Sequence, residues 1–382
     1  MIKPHGGKLI NRILNDKECE RLISQKDELP QIKLNEDRSI EVRNIANGVF
    51  SPLEGFMTED DFISVLEFGR LSSDLAWTIP IVLDVDSDMC KNFTVGDEIL
   101  LLDPDNEVLA LLESEELYKY DKKNMAKCVF GTTDDAHPGV KTTYNMKEYL
   151  LGGRISMMQC EPKVFPHLNL TPKETRILFK SKGWRKIVAF QTRNPPHIGH
   201  EYVQKTALTF MDGIFINPVI GNKKKGDFKD ELILACYQEL IKQYYLKDSA
   251  VLSIFETPMR YAGPKEAIYH AIARKNFGCT HIIIGRDHAG VGNYYDSYAA
   301  HRIFDEYPDL QIEPLFFRSF YRCTKCNSVV NEKICPHDQK YHISFSGTKI
   351  RKLIQAKEKI PPDIMRPEIA EIILKTDNPF VE

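Results

Sequence analysis

The sequence predicts an α/β protein in which a parallel sheet forms the central domain. Between residues 186 and 284, short apolar segments alternate with helical patterns, and strands that are apolar on both faces are typical of a covered parallel sheet. The preceding residues contain short strand patterns separated by turns. Three cysteines and two histidines cluster after residue 322. We therefore expect a strand-rich domain at 1–165, the α/β domain at 166–322 and a small metal-bearing domain at 323–382.

The composition is that of an ordinary globular protein, with 42% hydrophobic and 27% charged residues. A net charge of −3 argues against a general nucleic-acid binder, so anion binding must come from local clusters. The N-terminus has no apolar segment of the signal-peptide kind, and we expect neither a secretion signal nor a membrane span. Six scattered cysteines are expected to be buried, reduced thiols of a cytoplasmic protein: Cys19, Cys90, Cys128, Cys160, Cys236 and Cys279.

The first domain shows a mixed pattern without a constellation that suggests chemistry. Helices are expected at Lys17–Lys26 and Glu59–Gly69, and strands at Trp77–Val85, Glu98–Leu102 and Asn106–Leu112. Asn47–Met57 is a turn-rich, apolar loop. Prolines in 161–174 indicate a connector, after which Thr171 is the expected N-cap of a helix with Pro172 at its first position, ending near Lys182.

The polar residues of the α/β domain concentrate where its first strand ends. Lys186–Phe190 predicts a buried strand, and Asn194 is a plausible N-cap for a helix that begins at the two following prolines. His197 and His200 are spaced i, i+3 and share one face of the first turn. Free N–H groups at a helix start favour an anion, so this block predicts a site for phosphate or a similar oxyanion. The alternative is a tight turn with two surface histidines.

Further strands and helices follow in alternation. Strands are expected at Gly213–Pro218, Val251–Phe255 and His281–Ile284, and helices at Asp230–Tyr245 and from Gly263 to Asn276. The basic loop Lys223–Lys225 is either a solvated charge run or a loop near a polyphosphate. Ligands of parallel sheets bind beyond the carboxyl ends of the strands, so the glycine-rich segment Gly285–Gly292 should face Gln191–His200. The sequence contains no P-loop, and Gly290–Gly292 lacks the third glycine of a dinucleotide fold.

The cysteine cluster predicts a structural zinc site. Cys323 and Cys326 form a CxxC pair, Cys335 is a third ligand, and the fourth is His342 or His337. His342 is favoured because the longer spacing gives the chain room to turn; three chance cysteines remain the alternative. Beyond the cluster, Ser346 and Thr348 can cap a helix Lys349–Gln355, and Arg351 on that helix either contacts a ligand or fixes the helix. The last helix, Ile369–Lys375, is expected to pack on this small domain.

The segment 191–201, Gln-Thr-Arg-Asn-Pro-Pro-His-Ile-Gly-His-Glu, resembles the signature of the ATP sulfurylase (sulfate adenylyltransferase) family. Its HxGH element is shared with other nucleotidylyltransferases, whereas the longer form is much more specific. The 47–57 loop, Gly-Arg-Asp-His-Ala-Gly at 285–290 and Ser-Gly-Thr-Lys-Ile-Arg at 346–351 are similar to further family elements, with Phe345 in place of the usual isoleucine. The resemblance implies a PUA-like N-terminal domain and a Rossmann-like, HUP-type nucleotidylyltransferase domain, without a fused adenylyl-sulfate kinase.

The reaction that the resemblance implies is ATP + sulfate → adenylyl sulfate + diphosphate, without a covalent intermediate. Arg193 would hold sulfate with Gln191 and the backbone N–H of Ala289. Thr192 and Asn194 would orient the α-phosphate, while His197 and His200 would stabilise the β- and γ-phosphates. Four loop residues would cradle the nucleotide, namely Gly285, Arg286, Asp287 and His288, and the backbone of Phe320 would meet the adenine. Mg2+ should accompany ATP, the zinc would be structural, and a homo-oligomer, a dimer or larger, is expected.

Two other functions compete with this one. Another HxGH nucleotidylyltransferase with a different acceptor would use His197 and His200 in the same way, but would not need Gln191 and Arg193 as an oxyanion pair. An RNA-binding protein, using a PUA-like domain and a zinc knuckle, would need a basic face with interleaved aromatic residues. The overall acidity disfavours it, so we expect no nucleic-acid partner and a structural role for the first domain.

Overall fold

The computed structural model describes the chain except at Cys160, Glu161, Asn222, Lys224, Ser346, Lys357 and Glu382, and except for the side chains of 347–349. The predicted thiol Cys160, the basic residue Lys224 and the capping residues Ser346 and Thr348 therefore lie outside the described residues and side chains. Of the other scattered cysteines, Cys236 and Cys279 are buried as expected. Cys19, Cys90 and Cys128 are half-buried, so the prediction of burial is wrong for these three.

The N-terminal part is built around a mixed sheet. Its elements are α1 (Asp16–Ser24), β1 (Gln31–Lys33), α2 (Glu36–Ala46), β2 (Gly55–Phe56), α3 (Glu59–Phe68), β3 (Leu83–Val85), β4 (Glu98–Leu102), β5 (Val108–Lys119), α4 (Lys122–Phe130), α5 (Pro138–Tyr144) and β6 (Tyr149–Met157). The strands lie in the order β1-β4-β5-β6-β2, with β3 also paired to β6. Only β1 and β4 are parallel among the described pairs of this sheet.

Two sequence predictions for this part need correction. The expected strand Trp77–Val85 is a strand only from Leu83, because before that residue the backbone forms isolated bonds, such as Trp77 to Gly69 and Met57 to Ile81, and not a regular ladder. The helices α2, α4 and α5 were not predicted. Their N-caps are the side chains of Asn35, Asp121 and His137 respectively. Such caps are local signals of a helix start, but the pattern of apolar residues around them does not indicate a helix.

The central part contains the predicted parallel sheet. Its elements are α6 (Pro172–Ser181), β7 (Ile187–Thr192), α7 (Ile198–Leu208), β8 (Gly213–Ile220), α8 (Asp230–Tyr244), β9 (Ala250–Leu252), β10 (Phe255–Glu256), α9 (Pro264–Phe277), β11 (His281–Ile284), α10 (Ala299–Arg302) and β12 (Glu313–Phe316). The order is β10-β8-β7-β11-β12, with β9 also on β8, and the described pairs are parallel. Thr171 caps α6 and Pro172 opens it, as predicted.

The expected strand Val251–Phe255 is broken into β9 and β10. Ser253 lies at the break, where its hydroxyl donates to the carbonyl of Leu168 at 2.8 Å and accepts from the N–H of Leu170 at 3.0 Å. Its own N–H still bonds to Ile216 on β8. The connector before α6 therefore binds at the break and interrupts the strand.

The helix α9 is buried between the parallel sheet and the N-terminal part. Every residue from Glu266 to Phe277 is buried. Near its end, the side chain of Asn276 donates to the carbonyls of Val49 and Ser51 and accepts from the N–H of His5. The 47–57 loop thus packs against α9, and one apolar cluster is continuous across the two parts.

The C-terminal part is small and shares its core with the central part. Its elements are β13 (Phe320–Cys323), β14 (Ser328–Asn331), β15 (His342–Ser344), α11 (Gly347–Gln355) and α12 (Pro367–Lys375), with the strands in the order β14-β13-β15. The last helix packs on α8 of the central sheet, not mainly on its own neighbours. Ile369 and Ile373 join the apolar cluster that contains Leu240, and Tyr244 donates to Glu368 at 2.7 Å. The expected packing of this helix on the small domain is therefore corrected.

Candidate active site

The helix α7 begins at Ile198 with His197 as its N-cap, not at the prolines with Asn194 as its N-cap. A residue that precedes proline avoids the helical region, and both Asn194 and Pro195 precede one. The chain therefore stays extended until His197. The imidazole Nδ1 of His197 then accepts from the N–H of His200 at 3.1 Å, and Nδ1 of His200 accepts from the N–H of His197 at 3.4 Å.

These two imidazoles are stacked and uncharged. Their ring centroids are 3.6 Å apart. Burial lowers the pKa of His200 to about 4, and burial together with the neighbouring His200 lowers the pKa of His197 well below its ordinary value. Because Nδ1 of His197 accepts from backbone, its proton belongs on Nε2, a tautomer assigned from the hydrogen bonds. The helix start therefore presents neutral N–H donors.

Gly199 lies between the two histidines because the helix is pressed against aromatic rings. A Cβ at Gly199 would clash with the ring of Phe320 and would lie 3.0 Å from that of Phe345. The ring of Phe345 also stacks on His197, with centroids 5.5 Å apart. The first turn of α7 is thus fixed by β13 and by the residue that follows β15.

The end of β7 and the loop that follows it leave polar atoms without partners among the described residues. Nη1 of Arg193 and Oε1 of Gln191 are buried and have no hydrogen-bond partner among the described residues. The Arg193 guanidinium lies over the ring of Tyr261, 5.3 Å from its centroid. Buried donors are normally paired, so an unpaired guanidinium nitrogen that lines a cavity is suited to an anionic ligand.

The loop after β11 is held in a strained conformation. Asp287 and Ala289 have φ of 57° and 54°, the left-handed region that favours glycine. The carbonyl of Ala289 accepts from Gly263 at 3.1 Å, and a Cβ at Gly290 would clash with Oδ1 of Asp287. Nε2 of His288 lies 3.2 Å from Nδ1 of His270, and burial lowers the pKa of His288 to about 3. Residues of this strained turn line the same cavity as Arg193.

A cavity of about 410 Å³ lies at the carboxyl edge of the parallel sheet. It is lined by predicted residues from two loops and from β13: Gln191, Thr192, Arg193, Asn194, His200, Gly285, Arg286, Asp287, His288, Ala289 and Phe320. His197 does not line it and lies against His200 and Phe345. The volume lies within the range of about 300–1,000 Å³ found for small-ligand sites.

Several lining residues were not predicted from the sequence. Met259 follows β10, and Phe317, Arg318 and Ser319 follow β12. These four lie beyond the carboxyl ends of strands in the same sheet, so the strand-end rule applied to β10 and β12 would have found them. Phe345, by contrast, comes from the C-terminal part, and no local signal links it to this edge.

The contacts of two basic residues bear on questions that the sequence leaves open. Lys223 is paired with Asp230 and donates to the carbonyl of Phe228 at 3.2 Å, with its side chain 5% exposed. It therefore stabilises its own loop. Arg351 does not line the cavity, but its Nη2 donates to Oδ1 of Asn194 at 3.1 Å. Its contact is with a site residue.

The cysteine cluster brings together Cys323, Cys326, Cys335 and His337, whose donor atoms all lie within 4.8 Å of one another. Nδ1 of His337 is 3.3 Å from Sγ of Cys326. The favoured ligand His342 is instead stacked on Tyr321 at 3.7 Å and approaches only Cys335, at 3.6 Å. His342 is fixed in β15 opposite Cys323, whereas the turn after β14 carries Cys335 and His337 around to the CxxC pair. These distances favour His337, the alternative fourth ligand, over His342.

The carboxyl edge of this parallel sheet carries an HxGH helix start, an arginine with an unpaired nitrogen and a strained glycine-rich loop. Together these features define a nucleotidyl-transferring protein. The ATP-sulfurylase family profile matches residues 166–376, and the profile of the PUA-like domain matches 2–160. The chain belongs to the ATP-sulfurylase family. None of the helices that the structure describes is long and apolar enough to cross a membrane.

Curated relatives match over the full length. The chain is 55% identical over 380 residues to the sulfate adenylyltransferase of Pyrococcus abyssi, covering 100% of this chain and 99% of that one. It is 45% identical over 379 residues to that of Halothermothrix orenii, covering 98% and 99%. Among solved structures, a hexameric APS kinase from Thiobacillus denitrificans has a TM-score of 0.77 at 22% identity, covering 99% of this chain and 69% of that chain. That likeness supports the fold alone.

Proposed function

We propose that the protein is a sulfate adenylyltransferase, which converts ATP and sulfate to adenylyl sulfate and diphosphate. The observation that carries this is Nη1 of Arg193, a buried donor without a hydrogen-bond partner among the described residues, in a cavity that Gln191 and His200 of the HxGH element also line. Full-length relatives of this name at 55% identity support the same reaction. A nucleotidylyltransferase with a different acceptor would have no use for this oxyanion pair, so we do not favour that alternative.

Sulfate would bind between the loops that follow β7 and β11. The planar guanidinium of Arg193 suits two oxygens of a tetrahedral oxyanion, with Gln191 and the N–H of Ala289 completing the site. A sulfate oxygen would then attack the α-phosphorus in line with the departing diphosphate. Sulfate is a poor nucleophile, so the rate depends on orientation and on neutralising the growing charge, without a covalent intermediate.

The nucleotide would lie along the helix start and the Gly285–His288 loop, with its adenine near the backbone of Phe320. His200, supported by His197, would donate to the β- and γ-phosphates as a neutral imidazole, and Arg286 would supply positive charge. Thr192 is already engaged, because its hydroxyl donates to the carbonyl of Asn194 at 3.1 Å. We infer that Thr192 shapes the loop and that Asn194 orients the α-phosphate.

Two metals belong to this proposal. Mg2+ would arrive with ATP, since among the described residues only the Cys/His cluster groups enough donors to hold an ion. Three thiols and one imidazole fit tetrahedral zinc, and four protein ligands leave no place for water, so the zinc would stabilise the C-terminal part. Metal analysis of the purified protein should find about one zinc per chain, and Cys326→Ser should abolish it. A protein free of zinc would contradict this assignment.

The function is tested by ATP formation from adenylyl sulfate and diphosphate. We expect rapid synthesis by the wild type and a loss of about 100-fold in His197→Ala, since the capping pair would lose its stacked partner. His167→Ala, at an exposed histidine, is the matched control and should behave as the wild type. No synthesis by folded, zinc-loaded wild type would refute the function.

Several coarser expectations accompany the function as proposals. We propose a division of the chain into 1–165, 166–322 and 323–382, a cytoplasmic location and a homo-oligomeric state. Light scattering of the purified protein tests the last of these, since a monomer at micromolar concentration would contradict it.

A further inference from the structure

We propose that the segment Pro379–Val381 and the loop 226–229 form a strap that positions Arg351, and through it Asn194, for the transfer step. The inference rests on the proposed function for its kinetic consequence. Neither segment lines the cavity, so any effect on turnover must be transmitted through other residues. Asp227 and Phe228 are the positioning residues that this arrangement adds to the site.

The first step is the pairing of the C-terminal segment with the loop. The N–H of Val381 donates to the carbonyl of Asp227 at 2.8 Å, and its carbonyl accepts from Gly226 at 2.9 Å. The N–H of Lys229 donates to Pro379 at 3.0 Å. The rings of Phe228 and Phe380 pack with centroids 5.0 Å apart. The two segments thus form an antiparallel strap around a buried ring.

The second step is the contact between the loop 226–229 and the guanidinium of Arg351. The loop supplies a carboxylate and an aromatic face, because Asp227 Oδ1 lies 3.7 Å from Nη2 of Arg351 and the guanidinium lies over Phe228, 5.3 Å from its centroid. Asp227 and Phe228 are 5% and 3% exposed, so water screens these contacts little. A loop released by the C-terminal segment would lose both contacts.

The third step is the contact with the site. Nη2 of Arg351 donates to Oδ1 of Asn194 at 3.1 Å. This bond fixes the orientation of the Asn194 amide, whose nitrogen then points away from Arg351. Asn194 lines the cavity in the loop that leads to the HxGH helix. The same Nη2 is shared between Asp227 and Asn194, so displacing the carboxylate displaces the donor that orients the amide.

The strap is tested with Asp227→Asn and Phe380→Ala, with Lys375→Ala as the control. Lys375 is exposed on α12 and pairs only locally with Glu371 among the described contacts. We expect kcat for ATP formation to fall about tenfold in the strap variants, with KM for adenylyl sulfate nearly unchanged, since orientation of the α-phosphate matters most in the transition state. An unchanged kcat would overturn the proposal.

A double-mutant cycle separates positioning from general loss of stability. In an Asn194→Ala background the effect of Asp227→Asn on kcat should largely disappear, whereas two independent defects would multiply. Hydrogen exchange of the segment 191–197 is the second measurement and does not require turnover. Faster exchange in the strap variants, but not in Lys375→Ala, supports the strap even if the wild type used another acceptor. Equal exchange would overturn it.

Discussion

At the scale of single side chains, the proposed function makes Arg193 the residue on which anion selection depends. Burial lowers the pKa of its neighbours His197 and His200, so the positive charge beside these two imidazoles comes from the guanidinium of Arg193. The ring of Tyr261 supports it from one side and leaves Nη1 free on the other. Planarity as well as charge therefore matters here.

Arg193→Lys tests this distinction. Lysine keeps the charge but loses the planar fork and its stacking, so we expect sulfate-dependent turnover to fall about 100-fold while ATP still binds. Initial rates at varied sulfate, with ATP affinity from calorimetry, measure the two effects separately. Arg185→Lys, at an exposed arginine, is the control. Equal rates for Arg193→Lys and wild type would remove Arg193 from the sulfate site.

Acid should destabilise the protein through its buried imidazoles. Burial lowers the pKa of His5 and His200 to about 4 from an ordinary value of 6.5. Between these values the unfolded chain carries the protons and the folded chain does not, so the free energy of unfolding is full above pH 6.5 and falls as the pH drops towards 4. Each imidazole contributes a slope of about 1.4 kcal/mol per pH unit.

Urea unfolding at a series of pH values between 6.5 and 4.5 measures this slope. His5→Gln should make it shallower, whereas His167→Gln, at an exposed position, should leave it unchanged. A slope that is the same in all three proteins would contradict the assignment of neutral His5.

At the scale of elements, the start of α7 depends on the close approach of β13. The ring of Phe320 occupies the space that a side chain on Gly199 would need. Gly199→Ala should therefore lower the free energy of unfolding by about 1–3 kcal/mol, as overpacking does, and reduce turnover by displacing the histidines. Thermal unfolding and initial rates measure both effects. Adding Phe320→Leu should restore part of the stability, and a fully stable Gly199→Ala protein would show that α7 can move away freely.

The elements differ in how far the sequence could predict them. The parallel strands and α6 were predictable because apolar runs and the Thr171–Pro172 cap are local signals. The predicted start of α7 lies three residues too early, because a proline at the first helical position is usually favourable, whereas here the second proline keeps the first out of the helical region. The break at Ser253 depends on Leu168 and Leu170, which are distant in the sequence, and could not be predicted from the strand itself.

For the candidate site too, some residues could be predicted from the sequence and others could not. Residues beyond strand ends were predictable from the sheet and the motifs. The choice of His337 over His342 was not, because it depends on the pairing of β15 with β13 and on the stacking of His342 on Tyr321. Spacing alone favours His342, which lies farther along the chain from Cys335 than His337 does. The arrangement of the C-terminal part around α8 was likewise hidden, since it depends on contacts between distant segments.

At the scale of the whole molecule, α9 joins the N-terminal part to the parallel sheet. It is buried although it contains Glu266, Arg274 and Lys275, which a sequence pattern would place in solvent. Glu266 accepts from the N–H groups of Arg260 and Ala262, and Arg274 donates to the carbonyl of Asn217, so both side chains form hydrogen bonds within the central part. The burial of α9 could be predicted only by knowing that two units share it.

We therefore expect the two parts to unfold together. Differential scanning calorimetry of the full chain should give one transition, and Asn276→Ala should lower its midpoint by several degrees, because the 47–57 loop and His5 would lose their common partner. Lys173→Ala, at an exposed lysine, is the control. Two separate transitions in the wild type would contradict a shared core.

The continuous apolar cluster around α9 also bears on what a protease could do to this molecule. Cutting the backbone once in the segment before α6 would sever the covalent link without removing any of the contacts that α9 makes on both sides. The two fragments would migrate separately only after denaturation and would otherwise elute as one particle. In this respect we expect the folded chain to behave as a tethered complex of two parts.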